Sequence, residues 1–201
     1  MIRVLDVFIS VIGILLLSPL LLIIGILIKL TSNGPFLYKQ ERVGHFNSDF
    51  KVFKFRTMKV NSDKLGLLTL GGRDPRVTRI GYFLRKYKLD ELPQLFNVLF
   101  GQMSLVGPRP EVRKYVDMYT IEQMRVLSIR PGITDWASIE YSDENVILGS
   151  VSDPDKMYEL EIMPAKIDLN IKYIENKSIK EYFKILYFTF YKIVSKKKNK
   201  K

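Results

Sequence analysis

The sequence contains no cysteine and a single histidine among its 201 residues. That excludes disulfides, thiolate metal sites, a cysteine nucleophile and any histidine-rich metal centre. A metal here must be a hard cation held by carboxylates and phosphates, and Mg²⁺ fits that description best. No Gly-x-x-x-x-Gly-Lys-Ser/Thr run occurs, so there is no P-loop. Internal repeats and low-complexity linkers are also missing, which leaves one functional unit. Acidic residues are scarce: 21 against 32 Lys and Arg, a formal charge of +11. Such an excess favours a polyanionic partner, whether nucleic acid, an anionic membrane face or a phosphorylated substrate. No recognised nucleic-acid-binding motif accompanies the charge.

Charge is wholly absent from Val7 to Ile28, "VFISVIGILLLSPLLLIIGILI". As a straight helix these residues would reach ~33 Å, enough to cross a bilayer core. A signal peptide fits poorly, because the run is long and no small-x-small site follows it. Ser18-Pro19 falls near its middle, where proline removes a backbone donor and bends a helix. Two topologies follow: a kinked spanning helix, or a re-entrant one that returns to the same face. Hydropathy alone favours the spanning helix.

Towards the other end, Ile179, Phe183, Leu186, Tyr187 and Phe190 recur at helical spacing with lysines between them. The pattern suits a helix at the headgroup boundary, and equally a core-packed terminal helix followed by a basic tail. Between these ends, "PFLYKQERVG" and "FKVFKFRTM" alternate around "HFNSD" and predict a β-hairpin, with His45 in its turn. Residues 59–80 read as a Gly- and Arg-rich loop. Leu92, Leu95, Phe96, Leu99 and Phe100 predict a helix, and residues 111–129 and 159–174 predict two more. Trp136 reads as a packing residue. The fold class is α+β, mainly helical.

"KLDELPQL", residues 88–95, places Asp90 and Glu91 side by side in this basic chain. On a helix adjacent side chains point about 100° apart, so the acids do not share a face. Asp90 also fits an N-cap with Pro93 in the first turn. The surroundings argue for more: Arg73, Arg76, Arg79 and Arg85 precede the acids, and Arg109 follows between two prolines. Arginine forks suit phosphate, and flanking prolines limit the entropy lost in holding one. Carboxylates and arginines without a glycine cradle point to a metal-bridged diphosphate.

"FKFRTM" (53–58), "RDPRVTRIGYFLRKYKLDELPQLFNVLFGQMSLVGPRP" (73–110) and "RPGIT" (130–134) together resemble the bacterial sugar transferases known as monotopic phosphoglycosyl transferases. The resemblance covers nearly the whole chain, including the Ser-Pro of the apolar run and "EIMPAKIDLN". It implies transfer of a sugar 1-phosphate from a nucleotide diphosphate sugar, usually a UDP-sugar, to polyprenyl (undecaprenyl) phosphate. The products would be polyprenyl diphosphate-sugar and UMP, at the cytoplasmic face of the bacterial inner membrane, with Mg²⁺ as cofactor.

By the same resemblance Asp90 is the nucleophile and a metal ligand, and Glu91 its essential neighbour. Arg85, Arg109, Lys54 and Arg56 hold phosphate or nucleotide. Ser18 and Pro19 break a re-entrant helix within residues 1–30, and residues 31–201 form the catalytic part with its basic tail. A homo-oligomer is left open. Many members read Gly-Trp-Ala-Gln where this chain has Asp135-Trp136-Ala137-Ser138, and an aspartate where it has Asn170, although Asp168 lies close. These departures leave the acid pair intact and bear on sugar and nucleotide contacts. The competing reading is a non-catalytic membrane adaptor that recruits a glycan-assembly complex through its basic face.

Overall fold

In a computed structural model, residues 1–62, 68 and 74–195 are described. Arg73, much of the Gly-rich loop and the terminal lysines lie outside the described residues.

Helix α1 (Ile2–Thr31) takes in the entire apolar run and continues through Pro19. Proline cannot donate to the carbonyl four residues back, which here belongs to Leu15. Ser18 fills that gap: its hydroxyl donates to the Leu15 carbonyl at 2.8 Å. The Ser-Pro pair thus lies inside one helical span, and the serine hydroxyl meets the carbonyl that the proline leaves without its usual donor.

Both ends of α1 dock on one body. Near its start, Arg3 donates to the carbonyls of Leu99 (3.2 Å) and Met103 (3.3 Å). The buried Asp6 accepts from Ser104 Oγ (2.8 Å), Leu105 N (3.0 Å) and Tyr182 Oη (2.8 Å). Near its end, Ile24 and Ile28 pack with Phe55 and Leu84. Between them Phe8, Leu15, Leu16 and Leu22 stay exposed. An apolar face that wide between two anchored ends is what a membrane-associated helix requires.

The expected hairpin is present. Strands β1 (Leu37–Val43) and β2 (Asp49–Phe55) pair antiparallel, from Leu37 opposite Phe55 to Val43 opposite Asp49. His45 lies in the turn, with its Nε2 3.1 Å from the Ser128 carbonyl oxygen. Helix α2 (Arg79–Lys86) is capped by Thr78, whose hydroxyl accepts from Gly81 N at 3.0 Å. A Cβ on Gly81 would collide with the Thr57 carbonyl, so glycine lets α2 sit against that backbone.

The acids do not start the next helix. Lys88 turns left-handed (φ 55°), Leu89–Glu91 form one 3₁₀ turn, and α3 (Gln94–Leu99) begins after Pro93. Asp90 makes no capping bond there. Gln94, Asn97 and Val98 are the buried side of α3, while Phe100 is exposed and Leu95 faces Gly13 of α1. Asn97 ties α3 to β2, accepting from Phe53 N (2.9 Å) and donating to the Lys51 carbonyl (2.7 Å).

Strands β3 (Ser104–Val106) and β4 (Gly132–Thr134) form a short parallel pair. Their glycines touch: a Cβ on Gly132 would lie inside the Gly107 backbone. The helix expected over 111–129 is instead α4 (Arg113–Val116) and a 3₁₀ segment, Gln123–Ser128. Thr120 and Gln123 explain the interruption. Thr120 N donates to Gln123 Oε1 at 3.0 Å and Gln123 N donates to Thr120 Oγ1 at 3.2 Å, a reciprocal cap that restarts the chain.

Helices α5 (Trp136–Glu140), α6 (Glu144–Gly149) and α7 (Pro154–Met157) lead into a π turn, Tyr158–Ile162. Helix α8 (Met163–Glu175) continues from it, and α9 (Ile179–Ser195) closes the fold. The largest core joins Val52, Val98, Met103, Val106, Tyr173, Tyr182 and Ile185. The core-packed reading of α9 holds for one of its faces. Tyr182 and Ile185 are in the core, while Phe183, Tyr187 and Phe190 are exposed. Trp136 is a packing residue, set against Phe188 with its Nε1 donating to Glu181 Oε1 at 2.8 Å.

Candidate active site

Four elements converge on the acid pair. Strand β2 brings Lys54, helix α2 brings Arg85, the 3₁₀ turn brings Asp90 and Glu91, and the loop after β3 brings Arg109. Asn97 fixes β2, and the close seat of α2 on Thr57 lets Arg85 Nε donate to Thr57 Oγ1 at 2.9 Å. The Arg109 loop is fixed from behind: Arg109 N donates to Asp135 Oδ2 at 3.1 Å. Asp135 also caps α5 through Ser138 N at 2.6 Å.

The two acids have different fates. Glu91 is bound by the Arg109 fork at both carboxylate oxygens, one of these bonds being 3.2 Å. Lys54 Nζ lies 4.0 Å from Glu91 Oε1. Burial alone would raise the Glu91 carboxyl; Arg109, Lys88 and Lys54 override it and hold the group far below the usual carboxylate range. Asp90 is buried too, yet its Oδ1 has no hydrogen-bond partner. Burial first, then the Glu91 charge, raise its pKa, while Lys54, Lys88 and Arg85 pull it back. Lys54 is pushed down to about 7, mainly by burial and then by Arg109. Arg109 is raised above its ordinary value, with the Glu91 charge the largest cause.

Arg56 goes elsewhere. Its Nη2 donates to the Ser32 carbonyl and hydroxyl, both at 2.8 Å, at the end of α1. Arg76 is clamped on Asp74 and bonds it at 2.6 Å, and Arg79 is exposed. Ser18 and Pro19 lie in the middle of α1. Of the departures from the family pattern, Asp135 touches the site through Arg109. Ser138 Oγ and Asn170 Oδ1 are buried without partners, and Asp168 is exposed.

A model of the family described as "Bacterial sugar transferase" matches residues 1–196. The chain belongs to that family. Among similar proteins, the UDP-N-acetylgalactosamine-undecaprenyl-phosphate N-acetylgalactosaminephosphotransferase of Aeromonas hydrophila is 43% identical over 180 residues, 88% of this chain and 40% of the relative. The UDP-glucose:undecaprenyl-phosphate glucose-1-phosphate transferase of Escherichia coli K12 is 36% identical over 194 residues, 93% of this chain and 39% of the relative. A protein of that same name from Caulobacter vibrioides is 37% identical, covering 92% of this chain and 66% of its own length. The chain thus spans about two fifths of the first two relatives.

In this bacterial sugar transferase the metal question rests on the acids. No group of three or more His, Asp or Glu side chains converges among the described residues. Mg²⁺ does not need such a cage, since one or two carboxylates plus phosphate oxygens and water suffice. Asp90 Oδ1 is the carboxylate oxygen with no protein partner, and Glu91 is committed to Arg109. The donor set fits a cation bound jointly by Asp90 and a diphosphate, not one bound by protein alone. Sequence reasoning passed over Thr57 and Gln94, and marked Asp135 only as a departure from the family pattern. Gln94 carried no cue, because it lies opposite the apolar face that Leu92, Leu95, Phe96 and Leu99 mark in the sequence, whereas the structure buries Gln94, Asn97 and Val98.

Proposed function

We propose that this chain transfers a sugar 1-phosphate from a UDP-sugar to polyprenyl phosphate, undecaprenyl phosphate in bacteria, at the cytoplasmic face of the inner membrane. The observation that carries the proposal is the unequal acid pair. Asp90 is buried with an oxygen unengaged, among cations that would otherwise repel one another, while Glu91 is held ionised by Arg109.

In the first half-reaction Asp90 attacks the sugar-linked phosphorus of the diphosphate. The bond to the inner phosphate's bridging oxygen breaks, UMP leaves with that electron pair, and a carboxylic–phosphoric anhydride forms on Asp90. In the second, an oxygen of polyprenyl phosphate attacks the same phosphorus. The anhydride C–O–P link then breaks at phosphorus, freeing Asp90 and giving polyprenyl diphosphate-sugar. Both steps bring anions together. Lys54, Arg85 and Arg109 offset that repulsion with charges already in place. Mg²⁺, held through Asp90, would supply further screening of the diphosphate. Glu91 keeps Arg109 aimed at the site.

The anchoring of both ends of α1 on one body supports a monotopic, re-entrant placement. A helix crossing the bilayer would carry its start away from that body. The acceptor's phosphate sits at the headgroup plane, and a body that holds both ends of a re-entrant helix sits at that height.

The test is UMP release by the detergent-solubilised full chain across a panel of UDP-sugars with polyprenyl phosphate and Mg²⁺. One sugar should give UMP release and a phospho-sugar adduct mapping to Asp90. Lipid binding with no UMP release from any donor would leave the adaptor reading. Tags before Met1 and after Lys201 should both face the cytoplasm; a periplasmic N-terminus would overturn the topology.

A further inference from the structure

We propose that the side-chain amide of Gln94 is a further phosphoryl-oxygen donor of this site; the inference rests on the transferase reading above. Gln94 opens α3, three residues after Glu91, and is almost fully buried. Its Nε2 is buried with no hydrogen-bond partner. It lines a recess with Arg42, Val52, Lys54, Arg109 and Pro110, on the flank of the acid pair.

The recess has too few acceptors for its donors. Arg42 is satisfied, by Glu111 Oε1 (2.8 Å), the Pro110 carbonyl (3.2 Å) and Gln40 Oε1 (2.9 Å). Glu91, the bordering carboxylate, is taken by Arg109. Among the described residues Lys54 has one ion pair, at 4.0 Å to Glu91, and no closer acceptor for its charge. An apolar residue of this size would fill the same place on α3 without burying an unmet donor, and native structures rarely keep such donors without a reason. A ligand rich in acceptors and carrying negative charge resolves all of this at once. Phosphoryl oxygens meet that description, and an amide N–H₂ adds two donors without adding repulsion between cations. The position also explains how Lys54 stays in reach: Asn97, one turn further along α3, holds the strand that carries it.

Stability and activity should then move in opposite directions. Gln94→Met keeps the length and removes the buried amide, and Gln94→Glu keeps the shape and replaces donors with charge. In detergent, the apo melting temperature of Gln94→Met should equal or exceed that of the wild type. Its UMP release should fall roughly 10²-fold, the usual effect of losing one preorganised donor. Inorganic pyrophosphate should raise the melting temperature of the wild type, less that of Gln94→Met, and not that of Gln94→Glu. A structural glutamine would give the reverse: Gln94→Met would melt lower, or would keep both the pyrophosphate shift and UMP release, and either result overturns the proposal. A pyrophosphate shift lost in Gln94→Met, from a wild type that releases UMP from no donor, would sink the transferase reading and keep Gln94 as a phosphoryl ligand.

Discussion

Glu91 gives both carboxylate oxygens to Arg109, while the adjacent Asp90 leaves Oδ1 without a partner. Two acids joined by one peptide bond thus sit in opposite states, and the roles proposed for them follow. Asp90→Asn keeps size and removes the nucleophile, so turnover should vanish while UDP-sugar still binds. Glu91→Gln keeps the fold of the turn and removes the negative charge that the Arg109 guanidinium pairs with. It should lower kcat/KM by about 10²-fold, with the loss partly in binding. Full turnover by Asp90→Asn in the UMP assay would remove it from the chemistry.

The same pair sets a pH dependence. Asp90 is raised, so it protonates sooner than an ordinary aspartate as pH falls, and attack requires the anion. The acid limb of kcat/KM therefore belongs to Asp90. Lys54 titrates at about 7, so it is charged below that pH and neutral above it. A diphosphate prefers the charged form, and affinity should weaken by up to about tenfold per unit as pH climbs above 7. Lys54→Arg, which stays protonated, should flatten the alkaline limb and leave the acid limb in place. An unchanged alkaline limb in that variant would assign it to another group.

Local periodicity made much of the fold legible. The apolar run, the alternation of β1 and β2, and the helical spacing of α9 each depend on residues close in sequence. The helix expected over 111–129 failed because Thr120 and Gln123 form a cap inside it, a signal present in the sequence and outweighed by apolar spacing. The acids were legible as a candidate site through their motif. Which acid is engaged was not, since the Arg109–Glu91 pair depends on where the β3–β4 pair leaves the following loop. Arg56 shows a related limit. It lies two residues from Lys54, the spacing of one strand face, but β2 ends at Phe55 and Arg56 turns to Ser32.

Asp135 stands behind Arg109, accepting its backbone N–H while capping α5. Asp135→Ala loses both bonds and should cost about 1–2 kcal/mol of stability. It should also raise KM for the UDP-sugar more than it lowers kcat, because the Arg109 backbone is no longer fixed. Asparagine caps nearly as well as aspartate, so Asp135→Asn should restore the melting temperature. Combining Asp135→Ala with Arg109→Ala should cost no more activity than Arg109→Ala alone. Additive losses would show that Asp135 acts without Arg109.

Asp6 is a carboxylate buried at the start of a long apolar helix, and three donors, two from β3 and one from α9, explain how it is tolerated. Asp6→Ala would strand Ser104 Oγ, Leu105 N and Tyr182 Oη together. At about 1 kcal/mol or more for each, the loss should be roughly 3 kcal/mol, or a melting point lower by about 6–12 °C in detergent. Asp6→Asn keeps an acceptor, and the two hydroxyls can reorient to meet its amide, so it should lose less than half as much. Tyr182→Phe removes one partner and should fall between wild type and Asp6→Ala. Because the start of α1 holds on through these bonds, Asp6→Ala should also speed proteolysis near Met1 in liposomes. Equal melting points for wild type and Asp6→Ala would mean that apolar contacts of Ile2 and Ile9 with the core suffice to dock the helix.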